Sequence, residues 1–197
     1  MNKQVAMAIL ILALGAAGTT VAANAQAATQ AKPDQKPTFA MVFDRNLGAV
    51  EKEVVSAAEA MPEDKFNFAP TQGEFKGVRT YAQQIKHIAA TSYMLGAAIL
   101  GEKPPVDLGK GENGPDNITS KADVVKFLKD SFDYAHKAAK SIDENNVLGM
   151  VPAPWGNNKV TRLSLTIIML GHPFDHYGQM VEYLRMNGIV PPASRGQ

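Results

Sequence analysis

Gly171-His172-Pro173-Phe174-Asp175-His176-Tyr177-Gly178-Gln179 is the stretch on which the fold turns. It holds a proline and two glycines, residues that punctuate helices, inside a segment that otherwise reads as helix from Thr161 to Asn187. Gly188 and Pro191-Pro192 close that segment. Read as helix, His172 and His176 stand at i and i+4, one above the other on a single face. Two neutral imidazoles so placed can share one cation such as zinc, nickel, copper or iron. The chain has only 4 histidines, so two at this spacing carry information. A lone pair of this kind is nevertheless more often an ordinary surface or core pair. Pro173 removes one backbone donor and crowds the carbonyl of Met169, at about 3 kcal/mol relative to alanine. Either the helix kinks at His172, or it breaks and restarts with Pro173 in its first turn.

Working outward, three more amphipathic rods precede this one. From Thr38 to Met61, Phe39, Val42, Phe43, Leu47, Val50, Val54 and Ala58 recur at helical spacing, and Pro62 ends the run. Residues 63–76 are too rich in breakers for an element, although Phe66 and Phe68 suit a plug at the end of a core. A second helix spans Val78 to Leu100, with Tyr81, Ile85, Ile88, Ser92, Leu95 and Ile99 as its inner stripe and Gly101 as its stop. After an irregular loop, Ser120 caps a third helix with Asp123 three residues on. Its inner face runs Val124, Leu128, Phe132, Ala135, Ala139 and Ile142, to about Glu144. The connector from Asn145 to Asn158 holds Trp155 between breakers, as a short extended piece or a lid. Four such helices specify an all-α chain, a four-helix bundle over residues 38–194.

The N-terminus reads differently. Lys3, the apolar run Val5–Ala17 and the small residues near Ala27 make residues 1–27 a cleaved signal peptide, followed by a flexible leader at 28–37. The apolar run is too short for a stable membrane anchor. The expectation is a periplasmic or secreted bacterial protein. The chain has no cysteine, which removes thiol nucleophiles, thiolate metal sites and disulfides. Its net charge of +1 comes from scattered basic residues, so nothing indicates nucleic-acid binding.

With His87 on the second helix and His172 and His176 on the fourth, the pattern resembles the DinB-like superfamily of metal-binding four-helix bundles. The likeness covers Phe39 to Ser194. Its strongest part is HPFDHYGQMVEYLRMNGIVPPAS at 172–194, supported by Ile85-Lys86-His87-Ile88-Ala89 and by Phe66-Asn67-Phe68-Ala69-Pro70. Pro173 and Phe174 depart from it, where relatives often carry more polar residues. The resemblance implies one divalent metal ion, zinc, nickel or iron, on His87, His172 and His176, and a homodimer. Three histidines leave at least one open coordination position, the arrangement of catalytic rather than structural zinc, so an exported metal-dependent hydrolase acting on an unknown small molecule is the first reading. The alternative is a non-catalytic periplasmic module for metal or a small ligand.

Other residues attract two readings each. Asp175 and Gln179 are weak candidates to hold a ligand imidazole from behind, and Asp175 serves equally as a solvated carboxylate. His136 reads as a partly exposed surface histidine. Asp44, Glu51 and Glu53 read as an outer charged face, or as acids and bases if they turn toward the ion. Gly178 is expected to permit close helix approach, since a mid-helix glycine costs about 1 kcal/mol against alanine. No catalytic residue is assigned. The sequence holds no Ser-His-Asp triad, phosphate loop or dinucleotide fingerprint.

Overall fold

A computed structural model describes residues 36–196. The signal-peptide reading of 1–27 and residues 28–35 of the leader lie outside the described residues. Four helices carry the fold: α1 (Phe39–Ala60), α2 (Tyr81–Leu100), α3 (Lys121–Lys140) and α4 (Arg162–Met186). Single 3₁₀ turns occupy Glu63–Lys65 and Pro192–Ser194. The sequence marks each helix start: Thr38, Thr80, Ser120 and Thr161 all cap with a side-chain oxygen. At Thr80 the cap is reciprocal, with the Gln83 amide returning to the Thr80 N–H, and this box sets the start of α2 three residues after Val78. Gly101 ends α2 in the left-handed region at φ 73°.

Around the bundle the order is α1, α3, α2, α4, each helix packing on two neighbours. The connections from α1 to α2 and from α3 to α4 therefore cross a diagonal, while that from α2 to α3 joins neighbours. The core holds most of the predicted stripes: Leu47, Val50, Val54, Tyr81, Ile85, Ile88, Leu95, Ile99, Val124, Leu128 and Phe132 are buried, as is Leu165 of α4, whereas Val42, expected inward, is 41% exposed. Phe66 and Phe68 do plug one end, edge-on against Tyr81 at 5.7 Å and Tyr183 at 5.6 Å. The buried Tyr81 hydroxyl, which apolar surroundings would strand, donates to the Ala57 carbonyl at 2.6 Å.

Several expectations are refined. The third helix stops at Lys140, before the expected Glu144, and Ile142 is buried beyond its end. The extended piece expected in the connector is a hairpin, β1 (Met150–Pro152) against β2 (Lys159–Thr161), with Val151 opposite Val160. Trp155 sits in its turn, 45% exposed. Helix α4 runs unbroken through Pro173, so the break-and-restart alternative falls. The expectation for Gly178 is overturned: it faces outward, exposed, with nothing within 4 Å of where a Cβ would lie. The close approach occurs instead at Gly96 on α2, where a Cβ would meet the Tyr134 ring at 2.9 Å. Among the described residues, no helix is long and apolar enough to cross a membrane.

Candidate metal centre

Neighbouring helices α2 and α4 bring His87, His172 and His176 together. One ring nitrogen from each lies within 4.8 Å of the other two. The Nε2 atom of His172 is 3.0 Å from that of His87 and 3.2 Å from that of His176. All three Nε2 atoms thus converge on one point from two rods.

The opposite ring nitrogens explain the orientation. His87 Nδ1 donates to the carbonyl of Glu112. His176 Nδ1 donates to Oε1 of Gln84 at 2.7 Å, and Gln84 in turn donates from Nε2 to Oε1 of Gln179, also at 2.7 Å. Gln84 is 1% exposed, so this chain is sheltered from water. With the proton held on Nδ1, the Nε2 of both His87 and His176 is left as a bare lone pair. His172 differs. Its Nδ1 is buried without a hydrogen-bond partner among the described residues.

The loop that supplies the Glu112 carbonyl is itself fastened to α2. The buried Lys86 ammonium donates to the carbonyls of Pro115 at 2.8 Å and Ile118 at 3.2 Å. Gly114, at φ 73°, lies so close to α2 that a Cβ would sit 2.8 Å from the Cβ of Lys86. Gly109, at φ 80°, packs similarly against Gly114, 2.6 Å from its carbonyl oxygen by the same measure. Only glycine fits either place without strain.

Three imidazoles this close cannot all be charged. Burial, reinforced by the neighbouring rings and by Arg79, lowers His172 to about 3; burial and His87 bring His176 to about 4; burial also lowers His87. His172 and His176 are neutral at any ordinary pH, and His87 is biased the same way, toward the form that ligates metal. The distances fit an ion as well. At metal–nitrogen bonds of about 2.0–2.1 Å, the observed separations correspond to angles of roughly 90–105°. The donor set suits zinc, nickel or iron.

The depressed values have a consequence for the metal-free protein. Between the ordinary imidazole value near 6.5 and the folded values of about 4 and 3, the unfolded chain binds protons that the folded chain refuses. Stability from these groups is therefore complete above about pH 6.5 and declines progressively as pH falls below it. Thermal melts of chelated protein at pH 7 and pH 4.5 should show a larger acid-induced fall in Tm than the same melts of a His172→Leu variant. Equal falls in the two proteins would refute this origin.

The remaining candidates fall into place around the cluster. Gln179 touches Gln84 rather than an imidazole, and so reaches His176 at one remove. Asp175 is exposed and bears on His176 through its field alone. His136 is not a free surface histidine: its Nδ1 meets Asp44 at 2.6 Å and its Nε2 meets Glu51 at 3.2 Å, tying α3 to α1. Glu53 accepts from the Tyr177 hydroxyl at 2.9 Å. Asp44, Glu51 and Glu53 are thus engaged with these partners and do not turn toward the three histidines. Sequence reasoning missed Gln84, Lys86 and Arg79. A polar residue one helical turn before His87 was the available signal for Gln84, whereas a backbone carbonyl such as that of Glu112 leaves no signature in sequence.

The comparisons agree with this architecture. The family model of the DinB superfamily matches residues 46–180, which include all three histidines. A crystal structure of a DinB-like protein from Bacillus cereus superposes with a TM-score of 0.61 at 13% identity, covering 79% of this chain and 96% of that one. At that identity the likeness speaks for the fold. No curated protein matches the chain. The family match over most of the bundle and the shared helical architecture place this chain in the DinB superfamily.

Proposed function

We propose that His87, His172 and His176 hold one divalent ion, zinc, nickel or iron, and that the protein is a hydrolase of small molecules exported to the periplasm or beyond. The observation that carries the reading is the convergence of three Nε2 atoms with two of the three Nδ1 positions already occupied as donors. An ion on three protein ligands supplies Lewis acidity at an open position and makes water more acidic. The chain's own contribution is orientation: Glu112 and Gln84 fix the ring planes, and the sheltered Gln84–Gln179 pair keeps them fixed. Export rests on the pattern of residues 1–27, and a homodimer on the family resemblance.

A non-catalytic module that takes up metal or a small ligand is the second reading, favoured by a cavity of about 470 Å³ beside His87. One experiment separates them. Protein purified without chelator is expected to carry about one divalent ion per chain by elemental analysis, and to turn over generic ester, amide or phosphate substrates in a chelator-sensitive way. Stoichiometric metal and saturable ligand binding without turnover would favour the module. Metal content near zero after supplying zinc, nickel or iron would overturn both metal readings.

A further inference from the structure

The cavity beside His87 has a wall, a floor and a charged mouth. One face of α2 forms the wall through His87, Ala90, Thr91 and Met94, at helical spacing. Leu108 of the loop and Trp155 of the hairpin turn close over it. Along α2 it adjoins a second cavity of about 650 Å³, lined by Ala97, Ala98, Pro152 and Pro154 among others, with Met94 lining both. The two therefore form an apolar trough along α2, walled by the hairpin residues Pro152 to Trp155. Charged groups stand at both ends: the exposed Glu102 and Lys103 at the far end, and at the end near the histidines Arg79 with Glu112, in the cavity that His87 lines.

Arg79 is three-quarters covered, its side chain 24% exposed, yet its anionic partner is not. Nη2 meets Glu112 at 2.9 Å, and that glutamate side chain is 84% exposed. Nε meets the Asn113 amide oxygen, also at 2.9 Å. These contacts use Nε and Nη2 and leave Nη1 of the fork for a further acceptor. An ion pair with one partner so exposed contributes little, so an incoming carboxylate can replace it at small cost. Glu112 itself demonstrates that the fork accepts a carboxylate in this position.

We propose that this trough binds a medium-length apolar carboxylate, its anionic head on Arg79 next to the three histidines and its tail against Met94, Leu108 and Trp155. As the substrate class of the site, it rests on the reading of the histidines as a metal centre; as a binding site, it does not. Sites for small molecules have this composition, mostly apolar with a few polar groups that fix orientation.

Trp155 is the only tryptophan in the chain, so its emission reports on the trough directly. Octanoate and its neutral counterpart octanamide should be titrated into the full protein in both metal-loaded and chelated forms. Octanoate is expected to shift and saturate the emission with a Kd at least tenfold below that of octanamide. Arg79→Gln should raise the octanoate Kd to the octanamide value and leave the latter unchanged, while Arg79→Lys should restore part of the difference. Equal affinity for the two probes in the wild type would overturn the proposal without recourse to any variant, as would silence of Trp155 toward both. The metal reading fails separately: octanoate binding in protein that takes up no ion would leave the trough standing and remove the centre. Stoichiometric metal with no octanoate binding would do the reverse.

Discussion

Replacing His172 with leucine is expected to abolish metal binding while leaving the metal-free protein at least as stable as before. The two halves of this expectation have different causes. His172 provides the Nε2 that lies nearest both other nitrogens, at 3.0 and 3.2 Å, so its loss leaves two ligands on separate helices. Disturbing a residue that merely orients a ligand costs about 10–100-fold in metal affinity. Removing the ligand itself should cost on the order of 1,000-fold or more. In the absence of metal, by contrast, His172 is a burden. Its Nδ1 is buried with no partner among the described residues, and burial together with two neighbouring rings keeps it from charging. A buried polar atom without a hydrogen bond costs about 1–3 kcal/mol, and leucine removes that cost while filling similar space, against about 0.5–1.5 kcal/mol for the one hydrogen bond that His172 Nε2 can donate to His87 or His176. At metal concentrations near 1,000 times the wild-type Kd the wild type gains about 4 kcal/mol and the variant at most about 0.4 kcal/mol. For a domain of this size that gain is a Tm difference of roughly 8–16 °C. Calorimetry of both proteins with and without zinc reads all four states. A variant that still binds one ion per chain, or whose chelated form melts well below chelated wild type, would contradict the account.

The contrast between what sequence revealed here and what it hid follows the physics of each feature. Three rods were legible because burial of one helical face must repeat at 3.6 residues, and Leu47, Ile85 and Leu128 obey that constraint at zero exposure, while the fourth was legible from its histidine spacing and its stop at Gly188 and Pro191-Pro192. Helix starts are legible where a hydroxyl stands before the apolar run, as at Ser120, whereas the capping box at Thr80 starts α2 later than its apolar pattern does. The β1–β2 hairpin escaped because strands of three residues are shorter than any periodicity can register. Gly178 faces outward because it stands two residues from the buried His176, about 200° around the helix. His87, His172 and His176 were named from spacing and resemblance, and the structure brings them together. Their supports were not foreseen. Gln84 looks like an ordinary polar helix residue until the fold turns it inward, where it is 1% exposed. Pro173 shows the converse: the rule that proline stops helices is overridden by a buried position in a well-packed rod.

Gln84 carries the second large expectation, because two variants of nearly equal size should act in opposite directions. Its Oε1 accepts a hydrogen bond from His176 Nδ1, and its Nε2 donates one to Gln179 Oε1. Gln84→Leu removes both bonds at once. The His176 N–H and the Gln179 carbonyl are then left without partners in a sheltered place, a loss of about 1–3 kcal/mol for each group that stays unsatisfied. His176 also becomes free to rotate and to change tautomer, which presents an N–H instead of a lone pair to the cluster. Metal affinity should fall about 10–100-fold, the usual effect of losing a ligand's orienting partner. Gln84→Glu keeps the acceptor and places a carboxylate behind the imidazole. Gln179 need only turn its amide by half a rotation to offer its NH₂ group to the new side chain. The carboxylate makes His176 more basic, so the glutamate variant should bind metal at least as tightly as wild type near pH 7. It should also hold the His176 proton on Nδ1, which ¹⁵N chemical shifts of the ring nitrogens report directly. Competition with a chromophoric chelator gives the affinities, and the order expected is glutamate at or above glutamine, with leucine far below. If the leucine variant bound metal as tightly as wild type with an unchanged His176 tautomer, Gln84 would be an ordinary buried polar residue, and the orientation of that imidazole would have to come from packing against α2 alone.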